Sequence, residues 1–154
     1  MANNNIKKEL LNLYLLKLLP ALFLIGVLYL VKYFGYGFGI QVSKIAAIAV
    51  ASFAALFSVG LPVFYRTWFV NKVKNLKSVP TNDFIAFEKN TISIALVSPY
   101  LLFVSLFLDV DQIYIIIVAF LSIYSAYYFF PSANKIRFEK KLFRINKNTA
   151  NENG

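Results

Sequence analysis

The chain offers few side chains for acid–base or metal chemistry. It carries seven Asp and Glu residues, no histidine and no cysteine among 154 residues. That inventory excludes thiolate nucleophiles, disulfides, Cys-bound iron–sulfur clusters, His-ligated haem and Cys/His zinc sites. General acid–base catalysis loses its commonest residue. Asp109 and Asp111, in "LDVDQ", form a close acidic pair. Two carboxylates two residues apart attract a cation, but without further oxygen ligands they make a poor calcium or magnesium site. They are better suited to capping the helix that follows, where negative charge is favoured. Asp109, Asp111 and Glu88 are the acids from which a membrane enzyme would have to be built. No metal and no cofactor is expected.

The elements that hold these residues are apolar. The chain is 59% hydrophobic and 15% charged, against about 45–50% and about 25% in a soluble domain. The excess gathers into four blocks with the charges between them, which is the pattern of membrane spans rather than of one large core. The blocks run from about Leu13 to Phe34, Ile45 to Tyr65, Thr91 to Leu108 and Ile113 to Phe130. Lys7 and Lys8 before an apolar run resemble a signal peptide. The run is long and offers no small-x-small cleavage site, so the first span is expected to be retained.

The cations orient the spans. Lys7, Lys8 and Lys17 lie at the N-terminal end. Arg66, Lys72, Lys74, Lys77 and Lys89 lie between spans two and three. Lys135, Arg137, Lys140, Lys141, Arg144 and Lys147 follow span four, and Lys32 and Lys44 fall on the other side. Cytoplasmic segments carry the excess of Lys and Arg, so both termini are expected inside. The expected fold is an all-α, four-helix transmembrane bundle in up-down-up-down order. It forms a single domain over residues 1–148, with a disordered tail at 149–154. A net charge of +9 on segments that border apolar blocks points to anionic headgroups as partner rather than nucleic acid. Richness in Asn, Ile, Lys and Phe suits an AT-rich bacterial genome, and the expected location is the bacterial inner membrane.

The links differ in kind. "KYFGYGFGIQVSK" alternates glycines with aromatics and reads as a turn at headgroup level. "LDVDQ" is short enough to make spans three and four a tight hairpin. Pro80 breaks any helix continuing from span two, and Thr81, Asn82 or Asp83 is placed to cap the next. Pro62 and Pro99 are expected to kink spans two and three. Basic interfacial helices are expected at about 66–77 and 133–146. The latter lies in "NKIRFEKKLFRINKN", which holds six cations and the single acid Glu139. The two segments also align weakly at an offset of 69 residues. Pro62 then faces Pro131, Arg66 faces Lys135, Lys72 faces Lys141, and Phe69, Val73 and Leu76 face Phe138, Leu142 and Ile145.

Several residues are candidates for contact. Ala47, Ala51 and Ala55, with Ala54 and Ser58 beside them, form a small-residue stripe in span two, and Ser122 and Ala126 repeat the relation in span four. Such faces let helix backbones approach closely in lipid. Lys72, Lys74, Lys77, Lys135, Arg137, Lys140, Lys141 and Arg144 form a basic surface for anionic lipid or an acidic partner. The aromatic groups around Tyr124, Tyr127 and Tyr128 suit an interfacial belt, or a lipid- or quinone-like ligand. Ser52, Ser58, Ser93, Ser98, Ser105, Ser122 and Ser125 are expected to bond backbone or a neighbouring helix. No acid falls near the middle of a span, which argues against proton-coupled export.

These features favour a non-enzymatic membrane protein that acts by contact, as an accessory subunit, assembly factor or immunity-type factor. A small oligomeric channel or carrier is the alternative, and a membrane enzyme the second. A carrier requires a wet cavity lined by Ser52, Ser98 or Ser122. An enzyme requires carboxylates brought together in a cleft.

Overall fold

The computed structural model describes residues 2–35, 40 and 42–145, with side chains from residue 5 onward. The glycine–aromatic turn at 36–39 and 41, Lys147 and the 149–154 tail lie outside the described residues. Among the described residues every regular element is helical: α1 (Ala2–Tyr33), α2 (Lys44–Ala55), α3 (Leu61–Val73), α4 (Thr81–Ala95), α5 (Ser98–Phe107), α6 (Gln112–Tyr128) and α7 (Ala133–Leu142). A single π-turn at Leu56–Gly60 joins α2 to α3. α5 packs against α1, α2 and α6, and α4 packs against α1 and α3.

Between its ends the bundle exposes large apolar side chains and buries many small ones. Its buried positions include Ala21, Ala47, Ala54, Ala95 and Ser58, Ser98, Ser105, Ser122 and Ser125. Leu16, Phe23, Leu30, Ile45, Phe53, Phe64, Ile113 and Phe120 are exposed. In water, so much contiguous exposed apolar surface would drive association. In lipid it has no such effect, and small residues win the interior because backbones then approach closely and gain dispersion contacts.

Each proline is answered by its surroundings. Pro62 has no N–H, and the preceding turn widens so that Leu61 N–H reaches back to the Leu56 carbonyl. The result is a π-turn, and the helix runs from Lys44 to Val73 without stopping. The expected basic helix at 66–77 is therefore the end of the second span and not a separate element. Pro99 cannot donate to the Ala95 carbonyl, and α4 gives way there to a turn at Leu96–Val97 before α5 continues the same 27-residue span. The Ser125 hydroxyl of α6 donates to that carbonyl instead. Ser125→Ala would leave it unsatisfied in a dry interior, and the expected loss is about 1–3 kcal/mol. Thermal unfolding in detergent, with Ser93→Ala as a control at a half-buried position, would measure it.

The cap of α4 differs from expectation, and that of α6 falls on the expected residue. The residue that caps α4 is Pro80, with no side-chain cap bond, so Thr81, Asn82 and Asp83 begin the helix rather than cap it. Asp111 occupies the cap of α6 without a side-chain bond. Asp109 turns through a positive φ of 46° and pairs with Lys32 at 2.9 Å, tying the end of α1 to the α5–α6 turn.

The weak internal repeat does not extend to environment. Phe69 and Val73 are buried, whereas their partners Phe138 and Leu142 are exposed. α7 turns inward along Ile136, Glu139 and Phe143. It meets α6 at a bend of 72° and starts on a Ser132 cap whose hydroxyl accepts from Lys135 N–H.

Candidate functional site

Helices of 30 residues (Lys44–Val73) and 27 residues (Thr81–Phe107) measure about 45 and 40 Å at 1.5 Å per residue. A bilayer core is about 30 Å thick, so both helices have length to spare. At the α3–α4 end, α7 folds back onto them and closes an aromatic core. Phe87 stacks on Phe69 with ring centroids 4.2 Å apart and on Tyr65 at 5.6 Å. Phe143 meets Phe69 and Phe87 edge-on. Phe84 and Val79 complete the cluster. Beside it, Ile6, Leu10 and Tyr14 of α1 pack on Ile92, Leu96 and Ile136.

Two carboxylates lie against this core. Glu88 is 4% exposed and Glu139 is 2% exposed. Arg66 Nη1 donates to Glu139 Oε1 at 3.2 Å. The other oxygen of Glu139 is buried and receives no hydrogen bond from a donor group, and the Glu88 carboxyl faces Glu139, with Lys135 and Arg66 close by. Two buried carboxyl groups this close oppose each other's charge, and the Arg66 guanidinium offsets that opposition. Thr91 bonds the Phe87 carbonyl at 2.8 Å. Pro62, Arg66, Glu88, Thr91, Lys135 and Glu139 enclose a space of about 40 Å³. That is room for water, which needs about 10–15 Å³, and it is far below the roughly 300 Å³ of a small-molecule site.

The sequence reading placed no acid in the interior, and Glu88 and Glu139 correct it. Glu139 is the lone acid in a run of six cations, a pattern that a solvated acid shares, so the sequence did not mark it as buried. It lies three residues after Ile136 and four before Phe143, on the one face of α7 that packs inward. Asp109 and Asp111 are at the opposite end of α5–α6 from Glu88, so the three acids named for an enzyme do not converge. Among the described residues no group of three or more His, Cys, Asp or Glu side chains is placed to hold a metal.

The basic residues surround this end. Lys72, Lys74, Lys77, Arg137, Lys141 and Arg144 are exposed, and Lys135 and Lys140 are half-buried. Burial holds the Lys140 ammonium below the ordinary lysine value. Lys72 sits 5.6 Å over the Trp68 ring. In the small-residue stripe, Ala47, Ala54 and Ser58 are buried, Ala51 is half-buried and Ala55 is exposed. Ser122 Oγ lies 3.0 Å from the Ser98 carbonyl and 3.2 Å from its hydroxyl, and Ala126 accepts from Tyr14 OH at 2.7 Å. Ser52 is exposed.

No protein-family profile, curated protein or solved structure matches the chain. The fold itself defines a class. Among the described residues it is all-helical, with three helices long and apolar enough to cross a membrane, or four if α6 and the bent-away α7 count as one broken span. That is compatible with a multi-pass integral membrane protein.

Proposed function

We propose that the protein acts by contact in the bacterial inner membrane, as an accessory, assembly or immunity-type factor. Its spans run up-down-up-down, with both ends and the basic face in the cytoplasm. The observation that carries this reading is the rigid mounting of that face. The tips of α3 and α7 share the aromatic core and the Arg66–Glu139 pair, so their exposed cations keep a fixed spacing. A topology signal alone needs charge but no fixed geometry. The water-sized space around the carboxylates suits a structural latch better than catalysis. The Ser98–Ser122 contacts suit helix packing better than a wet path.

Charge reversal tests it. In Lys72→Glu/Lys74→Glu/Arg137→Glu/Lys141→Glu, proteins that co-purify with the wild type in mild detergent should be lost, while thermal unfolding is unchanged. Transport of a solute by the pure protein in liposomes, or co-purification indifferent to the reversal, would contradict the proposal.

A further inference from the structure

A groove of about 580 Å³ runs between α1 and α6 down to the bend into α7, lined by Tyr14, Ile123, Ala126, Tyr127, Phe130 and Lys135 among others. Its volume is in the range of small-molecule sites, about 300–1,000 Å³. Two of its polar groups are already engaged. Tyr14 OH donates to the Ala126 carbonyl, and Ser132 caps α7. Tyr14 and Phe130 pack edge to face at 5.5 Å, which fixes that wall. The outer wall is Tyr127, 84% exposed, and Ile123, on the surface that a bilayer would cover.

One cation stands at the end of this apolar slot. Lys135 Nζ donates to the Tyr128 carbonyl at 3.2 Å and lies 5.2 Å from the Phe129 ring. Lys135 also borders the Glu88–Glu139 space; an ammonium has three donors, of which the Tyr128 carbonyl takes one, so donors remain for a ligand on the groove side. Arg137, Lys141 and Arg144 are outside the groove lining. They offer general attraction to an anionic surface, whereas Lys135 offers a point of attachment next to a chain-shaped apolar space.

We propose that this groove is a binding site for one anionic phospholipid, with an acyl chain along Tyr14, Ile123 and Phe130 and the phosphate on Lys135. The proposal rests on the membrane reading and adds a defined site to it. A cation near an anionic headgroup contributes roughly 1 kcal/mol, which is about a fivefold preference in affinity.

The test is native mass spectrometry of the detergent-solubilised protein, titrated with phosphatidylglycerol or with phosphatidylcholine of the same acyl chains. The wild type should take up one phosphatidylglycerol with about fivefold preference. Lys135→Ala should abolish the preference, and Lys141→Ala should keep it. Ile123→Trp, at an exposed position that folding tolerates, should reduce uptake of both lipids by filling the slot. Equal uptake of the two lipids by the wild type would overturn the site, as would an equal loss in Lys135→Ala and Lys141→Ala. Displacement by glycerol 3-phosphate alone would also overturn it, since the acyl chain would then contribute nothing. These failures leave the membrane reading intact. That reading fails separately, if the protein stays monodisperse after detergent removal.

Discussion

Phe87→Ala is expected to cost about 3–5 kcal/mol, the range for emptying a large aromatic position. Phe87 is 2% exposed and touches the rings of Tyr65, Phe69 and Phe143, which come from two other parts of the chain. The void cannot collapse by moving one neighbour, because Phe69 and Phe143 are fixed to α3 and to the end of α7. The loss should therefore be local as well as global. α7 should become open to protease near Arg137 and Lys141 at temperatures where the bundle is still folded. Thermal unfolding in detergent combined with limited trypsin digestion measures both. Phe120→Ala, at an exposed position, should change neither.

Arg66→Ala is expected to cost about 2–3 kcal/mol. Breaking a buried ion pair by removing one partner costs about 3–5 kcal/mol. The Arg66 side chain is 36% exposed, which screens the pair and lowers the figure. What remains is a carboxylate 3% exposed with Glu88 against it and Lys135 as the nearby cation. Arg66→Ala/Glu139→Gln should recover most of the loss, since the neutral amide needs no cation and can donate to Glu88. Glu88→Gln alone should be close to neutral, because its amide can donate to the buried Glu139 oxygen that has no hydrogen-bond partner. Chemical unfolding of the wild type, Arg66→Ala, Glu139→Gln and Arg66→Ala/Glu139→Gln gives the cycle, with Glu88→Gln measured beside it. Failure of the double variant to recover would show that Arg66 acts through packing alone.

The apolar blocks were legible because a bilayer asks for one property over about 20 residues, and Leu, Ile and Phe supply it redundantly. The spacing of the cations was equally plain. What sequence patterning could not show was which side of α7 turns inward. Its pattern carries two apolar stripes. One is Phe138 and Leu142, which the structure leaves exposed, and the other is Ile136 and Phe143, which it buries. Glu139 lies on the second and so enters the core with its charge. A single acid among lysines reads as a solvated residue unless the tertiary partner, Arg66, is known to lie 3.2 Å away. Pro62 gave a similar ambiguity. Its missing donor predicts a disturbance, and only the neighbouring turn decides between a kink and the π-turn observed at Leu56–Gly60.

The absence of cysteine from the sequence makes one direct measurement simple. Single cysteines are introduced as Lys74→Cys after α3, Asp111→Cys between α5 and α6, and Arg137→Cys on α7, and intact cells are treated with a thiol reagent that cannot cross membranes. A membrane bundle with a cytoplasmic basic face predicts that Asp111→Cys is labelled in intact cells, and that Lys74→Cys and Arg137→Cys are labelled only once the membrane is opened. Labelling of all three from the same side would contradict it.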